Sequence, residues 1–193
     1  MIEHKLIDYF ARFRPLTETQ KEAILESMEI QTYKKGEVIL REGQLARSNY
    51  FILEGCVRQY YLKDGDDITS NFYTEEDWIL PSLGMESERP AIYNLECLET
   101  CQVVIGNEEK GDQLIARFPE FQELAQIILE KEIIQQQTQQ AAYIRNSPEE
   151  RYLNVLANEK ELINRVPQYH LATYIGVKPE SLSRIRKRLL NKG

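Results

Sequence analysis

Apolar residues recur along this chain with two different periods, and the changes of period divide it. LTETQKEAILESM carries apolar positions at helical spacing, and Thr17 stands three residues before Gln20, the spacing of a capping box. A helix is predicted from Glu18 to Met28. From Glu29 to about Asn107 the pattern shortens to runs such as EVIL, YFILEG, CVRQYYL, ITSNFY, YNLECLE and CQVVIG. These runs are rich in Ile, Val, Tyr and Phe, and KKG, REGQ, KDGDD and SERP separate them. Short runs with Gly, Asp and Pro punctuation predict strands, about eight of them, closing into a jelly roll or similar sandwich. Asp64-Gly65, between two such runs, is a hairpin signal.

Helical spacing returns at Pro119. PEFQELAQIILEKEIIQQQTQQAAYIRN holds no glycine and no proline after its first residue, enough for about 27 residues of helix and roughly 40 Å. Phe121, Leu124, Ile127, Ile128, Ile134 and Ala141 form a stripe on it. Such a stripe packs either on the helix's own β-domain or against a second copy. The length favours a parallel dimer seam through Leu124, Ile127, Ile128, Lys131 and Ile134. Ser147, Pro148 and Glu150 then restart a helix, with serine as cap and proline in the first turn. The predicted units are therefore 1–118, a β-rich domain; 119–146, a dimerisation helix; and 147–193, a helical C-terminal domain.

Within that last unit, QYHLATYIGVKPESLSRIRKRLL has the spacing of a helix-turn-helix. Counting Gln168 as the first position, Ala172 is fifth, Gly176 ninth, Leu182 fifteenth and Ile185 eighteenth. The small residue lets two helices approach, the glycine supplies a positive φ in the turn, and the two apolar positions anchor the second helix. The second helix is then free to present Glu180, Ser181, Arg184, Lys187 and Arg188, with Lys178 just before it.

Charge strengthens this reading. The 193 residues carry a net charge of −7, which argues against nucleic acid as a partner. Yet 146–193 has nine Lys/Arg and five Asp/Glu, and the last sixteen residues alone are +5. Acidity and basicity belong to different parts of the molecule, and only the basic end needs to approach phosphate. Glutamate accepts from cytosine N4 and arginine donates two bonds to guanine, so Glu180 and Arg184 are the candidate base readers. Lys187, Arg188 and Lys192 are candidate phosphate contacts, which position without specifying.

Other chemistries find little support. Three cysteines, Cys56, Cys97 and Cys101, are too few and too oddly spaced for a disulfide framework or a metal site. The two histidines, His4 and His170, lie outside the β-region, which disfavours a metal-dependent enzyme on a cupin-like roll. His170, on the first helix of the motif, is expected at the surface or facing phosphate. No apolar run reaches transmembrane length and the N-terminus lacks a signal-peptide core, so a cytoplasmic protein without a cofactor is expected. The competing binding role is a module whose C-terminal helices dock a protein instead of DNA.

Two stretches resemble the cyclic-AMP receptor / fumarate–nitrate regulator (Crp/Fnr) family of bacterial transcription factors. YKKGEVILREGQLARSNYFILEGCVRQYY looks like the opening strands of a cyclic-nucleotide-binding-type domain, and VPQYHLATYIGVKPESLSRIRKRL looks like the family's reading motif. The resemblance implies an α+β chain: a cyclic-nucleotide-binding-like β-roll, a long dimerisation helix and a winged-helix-like helix-turn-helix domain. It implies a homodimer on double-stranded DNA, leaving room for RNA polymerase and an unknown small-molecule effector as partners. Glu180 and Arg184 match two of the three residues the family uses to read DNA, while Pro179 replaces the first arginine. The nucleotide-binding residues are not matched. Leu80-Pro81 stands for the family's Gly-Glu and Ala91 for its arginine, with Arg89 two residues away. Cyclic AMP is therefore not an expected ligand. Aromatics Tyr33, Tyr60, Tyr61, Tyr73, Trp78 and Tyr93 are expected to pack in the β-domain core.

Overall fold

The computed structural model of the chain describes residues 3–81 and 90–191. Two helices, α1 (Glu3–Ala11) and α2 (Glu18–Ser27), precede the strands. The strands are β1 (Glu29–Tyr33), β2 (Val38–Leu40), β3 (Ser48–Glu54), β4 (Val57–Lys63), β5 (Asp66–Tyr73), β6 (Trp78–Ile79), β7 (Asn94–Cys97) and β8 (Cys101–Asn107). They form two antiparallel four-stranded sheets, ordered β1-β8-β3-β6 and β2-β7-β4-β5. Asp64 (φ 54°) and Gly65 (φ 90°) make the tight turn between β4 and β5, as the Asp-Gly pair predicts.

Alternation along β3 explains the layering. Tyr50 and Ile52 point between the sheets with Val57, Tyr73, Leu95 and Val103. Phe51 and Leu53 point the other way, into a second core with Leu6, Tyr9, Phe10, Ile24 and Trp78. That second core is roofed by α1, which its many charged residues concealed in the sequence, and by α2 with its Thr17–Gln20 capping box. Trp78 and Tyr73 are buried, and Tyr33 and Tyr93 pack against the core between the sheets.

Helix α3 (Glu108–Arg117), also absent from the sequence expectation, leads into α4 (Phe121–Arg145), 25 residues long. Phe121, Leu124 and Ile128 of α4 complete the core against the first sheet. Four shorter helices follow: α5 (Pro148–Asn158), α6 (Leu162–Arg165), α7 (Gln168–Tyr174) and α8 (Pro179–Leu190). Ser147 and Glu150 form the predicted capping box at the start of α5. Among the described residues no strand follows β8. Its core of Tyr152, Val155, Leu162, Val166, Leu171, Ile175, Leu182 and Ile185 runs without a break onto Cys56, Phe72 and Leu98 of the β-domain. No described helix is long and apolar enough to cross a membrane.

Candidate nucleic-acid interface

The pair α7–α8 is built as its spacing requires. Ala172 is fully buried, as is Leu182, and Ile185 is nearly so. Gly176 has φ +76°, and a Cβ there would lie 2.5 Å from the Tyr143 hydroxyl. The positive φ is what requires glycine here, since the atoms a Cβ would meet are the far ends of the Tyr143 and Arg151 side chains. Val177 N–H donates to the Ala172 carbonyl at 2.9 Å and closes the turn.

Arg151 on α5 fastens that turn to the end of α4. Its Nε donates to the Ile175 carbonyl at 2.9 Å, and its Nη1 to the Tyr143 and Asn146 carbonyls at 2.8 Å each. The guanidinium also lies 4.3 Å over the Tyr143 ring. These carbonyls end two helices, where a cation is favoured. Nothing local in the sequence marks Arg151, because its partners come from two separate segments, the end of α4 and the turn after α7.

Leu182 and Ile185 face inward, so the opposite side of α8 is open. Lys178, Glu180, Arg184, Lys187 and Arg188 are exposed, and Ser181 is half-buried. Arg188 pairs with Glu149 at 2.5 Å, whereas Arg184, Lys187 and Lys178 make no ion pair among the described residues. Lys192 lies outside the described residues.

The face of the unit toward the β-domain is different. His170 is 3% exposed, and its Nδ1 meets Nη1 of the buried Arg58 on β4. Arg58 also donates to Glu96 at 2.6 Å and to Asp67 at 3.0 Å. Burial, then the adjacent Arg58 cation, pushes the His170 pKa down to about 4, so the ring is neutral at pH 7. His170 is therefore not the surface residue that its place in the motif suggested. It lies on the side of α7 that β5 covers, where Thr69 N–H donates to the Thr173 hydroxyl at 3.2 Å. Arg165 on α6 pairs with Glu75 at 2.8 Å and with Glu99 at 2.6 Å.

The seam residues divide. Leu124 (4% exposed) and Ile128 (7%) are buried in the β-domain core, and Lys131 donates to the Tyr9 hydroxyl at 3.4 Å. Those three face their own domain. Ile127 (37%) and Ile134 (61%) stand on open helix, as do Ala141 and Ile144. The stripe read as one face is two, because positions three and four apart span a wide arc on a helix covered on only one side.

Comparison with known proteins follows this geometry. The family model described as cyclic nucleotide-binding domain matches residues 30–118. Over nearly its whole length the chain superposes on a transcriptional-regulator structure from Eubacterium rectale, described as of the Crp/Fnr family, with TM-score 0.71 and 19% identity, covering 96% of this chain and 89% of that one. The fold is the Crp/Fnr fold. The c-di-GMP responsive global regulator CLP of Xanthomonas campestris shares it, with TM-score 0.72 and 19% identity over 92% of this chain and 93% of the other. So does FixK2 from Bradyrhizobium japonicum, with TM-score 0.68 and 20% identity over 86% of each chain. No curated protein matches the sequence significantly.

Within this Crp/Fnr fold, the positions read against the nucleotide-binding residues are only partly described. Ala91 is buried, its N–H donating to the Gln44 carbonyl at 2.7 Å and its carbonyl accepting from Gly43. Arg89 lies outside the described residues. Glu132 of α4 is 6% exposed with no hydrogen-bond or ion-pair partner among the described residues, and burial, then Asp77, raises its pKa to about 7. The three cysteines are buried free thiols, and no metal-binding cluster occurs among the described residues.

Proposed function

We propose that this protein is a dimeric, sequence-specific DNA-binding transcription regulator in which α8 enters the major groove. The observation that carries the reading is the two-sidedness of α8. Leu182 and Ile185 lock it to its own domain, while Glu180, Arg184 and Lys187 stand exposed along the other side. Glu180 and Ser181 sit in the first turn, the end that meets bases first in a helix-turn-helix. Arg184 and Glu180 read base edges, and Lys178, Lys187 and Arg188 hold phosphates.

Dimerisation runs along the open side of α4. Ile127, Ile134 and Ala141 are seven residues apart, the repeat of a coiled-coil seam, and Ile144 extends it toward the C-terminal unit. Leu124, Ile128 and Lys131 support that seam from behind. A twofold dimer places its two reading helices about one DNA turn, roughly 34 Å, apart, so the operator is near-palindromic.

The effector, where one acts, is not cyclic AMP. A buried phosphate requires charge-assisted partners. Leu80-Pro81 and Ala91 stand where the family's Gly-Glu and arginine would supply them, and Arg58 is already engaged by Asp67 and Glu96. Selection of duplexes from a random library by the purified chain, with no small molecule added, tests the function. Recovery of a palindromic site supports it. Absence of any binding at low salt overturns it.

A further inference from the structure

The contacts between the C-terminal unit and the β-domain form a distinct structure of their own. They lie at two points on either side of an apolar patch. At one point Arg58, 2% exposed, gathers Asp67, Glu96 and the Thr69 hydroxyl from the β-domain and His170 from α7. Tyr60 lies beneath its guanidinium at 4.1 Å, and Thr173 accepts from the Thr69 amide alongside. At the other point Arg165 of α6 is held by both Glu75 oxygens and by Glu99. Glu75 is itself anchored by the Gly55 amide at 2.9 Å. Between the two points Phe72 meets Tyr174 edge-on at 5.0 Å, and Leu98 joins the core of the C-terminal unit.

We infer that these two clusters are an interdomain latch that fixes the orientation of α8 by clamping α6 and α7 to hairpin β4–β5 and to the β5–β6 and β7–β8 turns. The inference rests on the DNA-binding reading for its functional consequence, but not for its structure. Docking leaves Glu180, Arg184 and Lys187 exposed, so the latch does not mask the reading helix. It pre-orders it. A closed latch refers each reading helix to its own β-domain, and hence to the α4 seam, before DNA arrives. An open one leaves that ordering cost to be met on binding. Any change that moves hairpin β4–β5 or the β7–β8 turn therefore reaches α8 through Arg58 and Arg165. His170 takes part as a neutral acceptor: its Nδ1 faces a cation, so the bond requires the unprotonated ring. The charged groups around it are Arg58 on β4, Asp67 at the start of β5 and Glu96 on β7.

The test uses the full chain with Glu75→Gln and Glu99→Gln combined, and separately His170→Leu and His170→Gln. Docking is read from hydrogen exchange at the Thr69 amide and from the radius of gyration in solution. Reading is measured as affinity for the palindrome recovered with the unaltered chain. We expect the glutamine pair and His170→Leu to expose the Thr69 amide, expand the molecule and weaken binding about tenfold. His170→Gln, which retains an acceptor for Arg58, restores both readouts. Removing two carboxylates would by charge alone strengthen DNA binding, so a loss is not an electrostatic by-product. Unchanged Thr69 protection and dimensions overturn the latch. Lost protection with unchanged or tighter binding overturns its role in pre-ordering. If the unaltered chain selects no duplex, the DNA-binding reading fails, and the exchange data still decide whether the latch exists.

Discussion

Helices α7 and α8 are neighbours in one motif and use their polar residues in opposite ways. On α7, His170 and Thr173 turn toward the β-domain and are bonded to it. On α8, Arg184 and Lys187 are exposed and make no ion pair among the described residues. The first helix is therefore the attached one and the second the available one. The lesson is that a polar residue's role follows from what covers its face, not from its type. A histidine beside a basic helix reads as a phosphate contact until β5 is laid over it.

The largest effect tests whether the available helix depends on the shared core. Leu182→Ala removes a fully buried side chain where α7, α8 and the β-domain converge, and should cost about 2–5 kcal/mol. Denaturant unfolding followed at Trp78 measures it. A loss well below that range would mean that the C-terminal unit collapses onto the cavity.

Next in size are the proposed base readers. Arg184→Ala and Glu180→Ala should leave the melting temperature unchanged and each cost roughly 1–3 kcal/mol of discrimination at one operator position. If both lower affinity equally for every sequence, α8 touches only backbone.

A third prediction sharpens the contrast through pH. His170 binds its proton in the folded chain only near pH 4, against 6.5 when free. Its contribution is thus complete above pH 6.5 and is lost as pH falls toward 4. Glu132 behaves oppositely: its folded pKa is near 7 against 4.5, so its burial costs nothing below pH 4.5 and progressively more as pH rises to 7. Stability measured from pH 4 to 8 should gain on the acid side with His170→Gln and on the neutral side with Glu132→Gln. Identical profiles in all three chains would refute both assignments. The smallest effect belongs to Lys187→Ala, which should weaken binding evenly across sequences and reduce the salt slope by about one.

How legible this was follows from the range of each signal. The strands, the Asp64-Gly65 turn, both capping boxes and the Gly176 turn are written in neighbouring residues, and each is found where its spacing predicts. The latch was illegible. Arg58 and His170 are 112 residues apart, Arg165 and Glu75 are 90 apart, and each alone looks like an ordinary solvated charge or surface ring. The helix α4 falls between. Its apolar content was plain, but which residues face inward depends on a β-domain whose position the sequence does not state. Leu124 and Ile128 were accordingly grouped with Ile127 and Ile134.

The bracket made by Arg151 has a mechanical consequence. Three carbonyls, from Tyr143, Asn146 and Ile175, converge on one guanidinium, so the end of the long helix and the turn before α8 share a single fastener. Torsion in α4 is then delivered to the reading turn as rotation, with little slack at Ser147-Pro148. The joint works as a keyed shaft instead of a loose tether, and the angle between the long helix and α8 is set at one guanidinium.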